Sequence, residues 1–483
     1  MKFPHAVLLI ATLVSVAVAV PAYGVVDPVW HGAKVAALPA GAKSVYDGFL
    51  PYLSCPSTGN CVAGGVYVNS AGDDVGLLLN EVNGAWQSPT SLTPPSNAEL
   101  KDGVSISGLS CARAGSCSAI GTYYDAAQDQ LSFVADEVGG RWLAARQIAL
   151  PANALQSNQV SALRSISCSA PGYCSAIGTY NATASPTALT EGFVIDEVGR
   201  TWSSASELRL PAGISANPYV SLNQIDCASP GNCSAVGSYI DANNLTHALV
   251  ATEVQRNWRP AAAVVLPGDA SSFAGASLDE VTCPSAGNCS AIGTYNATAK
   301  GVQALVASET HGVWVRATEL PMPASAAVNP QVLLFGFQGI SCASPGNCAT
   351  GGQYLDESGK YQGFLANEVA GSWQGSTELV LPAGAVQTSH NGGVVSVSCP
   401  SPGDCSAGAA YIDAAGNYQA IIVNEVHHVW RAANKLTLPS NAAGVGIGGG
   451  VYAVVCQTSG LCEAVGSYLS GASRYSGFTV SSS

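Results

Sequence analysis

The eight tryptophans of this 483-residue chain stand at 30, 86, 142, 202, 258, 314, 373 and 430, at steps of 56, 56, 60, 56, 56, 59 and 57 residues. A fixed period of this size marks a solenoid, a propeller or an array, in which one small unit recurs and buries its apolar face against its neighbours. The other landmarks keep the same register. All sixteen cysteines fall into eight C-x5-C pairs: Cys55/Cys61, Cys111/Cys117, Cys168/Cys174, Cys227/Cys233, Cys283/Cys289, Cys342/Cys348, Cys399/Cys405 and Cys456/Cys462. A tyrosine follows each second cysteine by six places (Tyr67 to Tyr468), and a proline follows each Trp by nine (Pro39 to Pro439).

The copy from Ile225 to Pro267, IDCASPGNCSAVGSYIDANNLTHALVATEVQRNWRPAAAVVLP, shows what one unit builds. CSAVGSY alternates at period two, and HALVATEV is a β-rich run between turn residues. With the run before the first cysteine and the run from Trp258 to Leu266, the unit has four strands. Pro-Gly-Asn between the cysteines, and glycine-bearing pairs before most tryptophans, supply the chemistry of tight hairpin turns. Each unit is therefore expected to be a four-stranded antiparallel meander.

The two ends of the chain are complementary. Val25 to Pro39 is a Trp strand with no cysteine hairpin before it, whereas the unit beginning at Cys456 has its hairpin and no Trp strand. Aligning RYSGFTVSSS with KYQGFLANEV puts Ser483 four places before a Trp position, which completes one period from Trp430. The expected fold is all-β: an eight-bladed β-propeller whose N-terminal strand completes the C-terminal blade, so that the ring leaves no free sheet edge at its seam. An open solenoid would need capping units instead.

A blade with Gly near the end of strand two, Tyr just after it, Trp opening strand four and Pro ending that strand resembles the kelch repeat of the galactose-oxidase-like propellers. Gly64-Gly65 and Gly351-Gly352 carry the Gly-Gly of that motif; five blades have a single Gly, and one has Ala409. The resemblance implies the propeller fold. Its copper chemistry does not carry over, because every cysteine is paired and the histidines share no ligand spacing beyond the adjacent His427-His428. The Glu-x4-Trp turn resembles the Asp-box of sialidase-like propellers in its acid-to-Trp spacing alone. Of the quinoprotein-dehydrogenase repeat, the Thr-Gly pair is missing.

Residues 1–24 read as a secretory signal: Lys2, then an apolar core from Ala6 to Ala19, then a small-residue cleavage site after Ala19 or Gly24. The apolar core is short for a membrane span. Residues 25–483 are expected to form one propeller domain outside the cytoplasm, where disulfides persist. The C-x5-C spacing suits a bridge across a hairpin turn better than zinc, which prefers C-x2-4-C. With 18 basic and 31 acidic residues, the net charge of −13 disfavours nucleic acid as partner.

Residues recurring in every blade are framework. Glu precedes Trp by five places in seven units (Glu81, Glu137, Glu197, Glu253, Glu309, Glu368, Glu425) and is expected to accept backbone N–H bonds in its turn. The Y-x-[DN] motifs fall short of the six to eight oxygens of a calcium site and are read as turn chemistry. The G-x-G-x-x-G match in Gly444–Gly450 lies between strands and lacks the helix that a nucleotide site needs. Selectivity must come from residues that break the repeat. At the starts of the innermost strands these are Tyr52, Arg164, Asn223, Gln224, Asp279, Glu280 and Gln338, the candidate ligand-binding surface at the channel mouth. No catalytic residue, metal or cofactor is assigned. The expected function is non-enzymatic binding of a glycan or an extracellular protein by a monomeric propeller; a carbohydrate-active hydrolase or oxidase is the alternative.

Overall fold

The computed structural model describes residues 28–45, 50–182, 189–273, 275–334, 338–386, 392–443, 449–471 and 475–483. The leader read at 1–24, His390 and residues 444–448 of the glycine-rich run lie outside them. The fold is an eight-bladed ring of antiparallel sheets, and the 3-10 turn Leu100–Asp102 is the one helical element among the described residues. Blade 1 carries Cys55 and Cys61, and blade 8 carries Cys456 and Cys462.

Blade 4 shows the pattern. Its inner strand Ser221–Ser229 pairs with Asn232–Ile240, which pairs with Thr246–Val254, which pairs with the outer segments Asn257–Trp258 and Ala262–Ala263. The outer strand is thus broken where the sequence suggested one run from Trp258 to Leu266. At the break the chain leans toward the preceding blade: Ala261 N–H donates to the Arg209 carbonyl at 2.8 Å. The same bond recurs from Ala145, Ala205, Ala317, Ser376 and Ala433, and from Ala33 to Thr437 across the closing blade. Blade 1 has Pro89 at this place, which has no N–H to give.

Closure follows the expected scheme. Lys34 and Val35 pair with Thr479 and Phe478, and Trp30 bridges Ser482. Val29 and Ser483 exchange N–H···O bonds of 3.1 Å in both directions. Ser482 occupies the place that Glu holds in the other seven blades. Between blades lie apolar layers such as Ile120, Val134 and Ile148 of blade 2 against Leu163, Ile166 and Phe193 of blade 3, all nearly inaccessible. The two middle strands are covered on both faces, so their residues are apolar or small throughout rather than alternating.

All eight cysteine pairs are bridged within their hairpins, with Cα–Cα distances of 3.9 to 4.1 Å. The bridges staple their hairpin turns as the sequence suggested, and they have a second duty. Cys233, Cys289 and Cys405 are buried, and with their partners Cys227, Cys283 and Cys399 they belong to the apolar layers between blades. The cause is their place in the second strand, which a neighbouring blade covers. The sulfurs thus pack as core atoms, out of reach of a ligand at the channel mouth. No described helix is long and apolar enough to cross a membrane.

The hairpin glycine is required by what lies beside it. Gly59 has φ +68, and a Cβ there would lie 2.7 Å from the Gly84 nitrogen, which donates to the Gly59 carbonyl. The strand-two glycine answers a different crowding. A Cβ on Gly121 or Gly237 would overlap the carbonyl oxygen of Ser105 or Ser221 on the inner strand. That carbonyl comes so close because the inner strand bulges one or two residues later, between Ile106 and Gly108 or between Leu222 and Gln224.

Candidate functional site

The inner-strand bulge gives the channel wall its variable side chains. In three blades the bulged residue is Arg164, Asn223 or Asp279, each skipped by the pairing register. Gln338 stands at the same place in blade 6, and one residue further on come Tyr52, Gln224 and Glu280. An extra residue on one strand turns its side chain out of the alternation. Tyr52, Arg164, Asn223, Gln224 and Gln338 line an axial cavity of about 350 Å³ into which all eight inner strands project, whereas Asp279 and Glu280 do not.

Several of these groups hold the ring together. Gln224 Oε1 accepts the Val281 N–H at 2.5 Å, and Glu280 Oε2, on a side chain 1% exposed, accepts the Ile340 N–H at 3.0 Å. Asn223 donates to the Leu278 carbonyl at 2.8 Å and lies 3.5 Å from Asp279 Oδ1. Burial pushes the Asp279 carboxyl up to about 6, against a bond from Ser277. Arg164 is exposed, and no acceptor among the described residues reaches its guanidinium. Tyr52 has its phenol pushed up to about 12 by burial, with the Arg164 charge opposing.

One wall residue escaped the sequence reading. The place before the first cysteine is Ser54, Ser110, Ser167, Thr282, Ser341 and Ser398 in six blades. The five serine hydroxyls each accept the N–H of the next blade's first cysteine, as at Cys111 N to Ser54 Oγ, 3.0 Å, and Cys168 N to Ser110 Oγ, 2.9 Å. In blade 4 this place is Asp226, whose carboxylate takes bonds from the N–H groups of Cys283 (2.7 Å) and Cys227 (2.9 Å) and from the Ser167 hydroxyl (3.0 Å). Burial raises its pKa while those three donors pull it back. The signal was a carboxylate in a serine column.

No protein-family profile matches the chain, and no curated protein is similar to it in sequence. Solved structures share its shape loosely. A protein of unknown function from Dyadobacter fermentans aligns at 12% identity and TM-score 0.37 over 81% of this chain and 97% of its own. A puromycin-hydrolyzing peptidase from Mycobacterium tuberculosis aligns at 11% and 0.43 over 89% of this chain and 62% of its own. A Trypanosoma rangeli sialidase aligns at 10% and 0.34 over 82% and 56%. At these values the likenesses carry no argument about activity.

On the opposite face lies the carboxyl ring. The seven glutamates are 1 to 5% exposed. Four of them bond side chains of the preceding blade rather than the turn backbone that the sequence suggested: Asn367 donates to Glu425 Oε1 at 2.6 Å, Asn80 donates to Glu137 Oε1, and Ser234 and Ser290 donate to Glu309 and Glu368 at 3.1 and 3.2 Å. The indoles reach the same neighbours, Trp142 to Asn80 Oδ1 at 3.0 Å and Trp430 to Asn367 Oδ1 at 2.9 Å. Burial raises Glu197, Glu253 and Glu425 to about 7. These groups are inter-blade fasteners. The Y-x-[DN] loops are closed turns, as in Asp241, whose Oδ1 accepts the N–H groups of Asn243 and Leu245 at 2.8 and 3.0 Å. Among the described residues the one trio with metal-ligand spacing is Cys342, Cys348 and Glu368, and its two sulfurs are bonded to each other.

Proposed function

We propose that this is a secreted, kelch-like binding propeller that recognises a glycan or an extracellular protein at the mouth of its central channel. The observation that carries this reading is Arg164. It is an exposed guanidinium without an acceptor in a channel otherwise lined by hydroxyls, amides, apolar groups and the one carboxylate Asp226, which is held by its own donors, on a chain of net charge −13. A planar fork of N–H donors selects a carboxylate or a row of sugar oxygens. Tyr52 and Gln338 stand on the same wall and extend the polar surface. Eight disulfides suit an oxidising compartment. The channel carboxylate Asp226 is held by three donors, which favours a framework role over acid–base work and so favours binding over hydrolysis.

The test is Arg164→Ala. A screen on immobilised glycans and extracellular proteins, run beside a hydrolase and oxidase panel, should find a ligand bound without turnover and lost in the variant, with melting unchanged. Turnover of a substrate by the wild type, or binding that persists in Arg164→Ala, would overturn the reading.

A further inference from the structure

Four of the seven ring glutamates, Glu81, Glu137, Glu253 and Glu425, keep a buried Oε2 without a partner, and for two of them, Glu137 and Glu425, the blade before carries an apolar residue where a serine could donate. In blades 4 and 5 the residue after the second cysteine is a serine that donates to the next blade's glutamate, Ser234 to Glu309 and Ser290 to Glu368. In blades 1 and 6 that residue is Val62 and Ala349. The glutamates facing them, Glu137 and Glu425, each keep one oxygen bonded to asparagine, while Oε2 is buried with no partner. Leaving a buried acceptor unpaired is destabilising, so its recurrence with the same neighbours calls for a reason.

The neighbours do recur. Blades 1 and 6 pair the apolar residue with Asn80 and Asn367 before the glutamate, Gln87 and Gln374 after the tryptophan, and Thr90 and Thr377 three places on; no other blade carries all four together. The geometry repeats as well. Gln87 Nε2 donates to the Ala85 carbonyl at 2.6 Å and Gln374 Nε2 to the Ser372 carbonyl at 2.9 Å, so both amides present their oxygens away from the turn. At each place a cleft opens between two blades. The cleft between blades 1 and 2, about 740 Å³, is lined by Asn80, Gln87, Thr90, Glu137 and Trp142. The one between blades 6 and 7, about 510 Å³, is lined by Asn367, Gln374, Thr377 and Trp430. Both volumes fall within the roughly 300–1,000 Å³ of small-molecule sites.

We propose that these two inter-blade clefts are equivalent binding sites for a neutral saccharide, distinct from the channel. The chemistry selects the class. Both clefts offer amide oxygens, and the first also the Glu137 carboxyl, beside the apolar edge of a half-buried indole, and a sugar presents hydroxyl donors on a ring with apolar C–H faces. A cationic ligand is disfavoured because Arg141 lines the first cleft, and Arg431 and His428 line the second. Clefts exist at two other interfaces, but Ser290 fills the donor place between blades 5 and 6, and Asp196 replaces the asparagine between blades 3 and 4. Two sites on one rigid ring bind a repeating polysaccharide with avidity above that of either alone.

The experiment uses xylotriose, cellotriose, chitotriose and mannotriose as probes, by calorimetry and saturation-transfer NMR. At least one should bind with two equivalents per chain. Val62→Ser should remove one equivalent and Val62→Ser with Ala349→Ser both, with roughly tenfold or greater loss of affinity and melting at or above wild type, since blades 4 and 5 already house that serine. Gln87→Ala with Gln374→Ala is the second pair, should the serine variants fold poorly. Arg164→Ala should leave both equivalents in place, which separates this proposal from the channel reading. Absence of binding by every probe at millimolar concentration, two equivalents persisting in both double variants, or loss of saccharide in Arg164→Ala would overturn it.

Discussion

The carboxyl ring should make the stability of this protein fall as the solution becomes less acid, and Glu253→Gln isolates one contributor. Glu253 is 2% exposed, with Oε2 lacking a partner. Burial, reinforced by the Asp196 charge and opposed by Arg256, raises it from 4.5 to about 7. A carboxyl with a raised folded pKa holds its proton in the native state after the unfolded chain has released it. Its contribution is therefore complete below about pH 4.5 and is lost as pH rises through 7. For Glu253 the difference is at most about 3 kcal/mol. The entropy of unfolding a chain this long converts that to about 3 °C of melting temperature. Glu197 and Glu425 shift alike, and Glu463 rises to about 8 with Glu81 beside it. The turn carboxylates Asp241, Asp269, Asp356 and Asp413 are shifted downward and titrate below this window. Melting followed by fluorescence at pH 5 and pH 8 should show wild type less stable at pH 8. Glu253→Gln should match it at pH 5 and melt about 3 °C higher at pH 8. A wild type more stable at pH 8, or a variant equally destabilised at both, would refute the reasoning.

Deleting residues 25–39 should strip the edge of blade 8 and produce aggregation visible by light scattering; a monodisperse truncation with unchanged melting would remove the shared-blade account. Gly121→Ala should cost about 3 kcal/mol in urea unfolding, because its Cβ meets the Ser105 carbonyl, whereas Gly84→Ala, with nothing within 4 Å, should cost less despite its positive φ.

The architecture was legible because the period is carried by residues with fixed structural duties. Trp reaches the preceding blade, the hairpin glycine admits the neighbouring turn, and the unit missing from one end is present at the other. The pairing of the cysteines could be read from their spacing, but not that Cys233, Cys289 and Cys405 would sit inside the inter-blade layers, since spacing along one strand says nothing of what covers it. The site was legible only in part. Tyr52, Arg164, Asn223, Gln224 and Gln338 gather on the channel wall while Asp279 and Glu280 do not, and Gln224 and Glu280 are used to hold the next inner strand. That distinction depends on where a bulge turns each side chain, which spacing does not reveal. Asp226 was overlooked because its column looked structural. Val62 and Ala349 were overlooked because apolar residues in a β-rich run attract no notice; their meaning is the hydroxyl they lack, and that shows only once Glu137 and Glu425 are seen facing them.

The bonds between Val29 and Ser483 have a consequence in time. A chain made from its amino terminus delivers the outer strand of blade 8 before the other blades and its partner after them. Each cysteine hairpin can close within a few residues, so the intervening blades have local order to build on. That outer strand meanwhile has no edge to join until Tyr475–Ser481 has been made. Contacts between such distant segments are the slow ones, and an unpaired strand during that interval is open to pairing with another chain. Circular permutation that joins the present ends and cuts between two blades would let every sheet form from contiguous sequence, shortening that vulnerable interval without altering the finished ring.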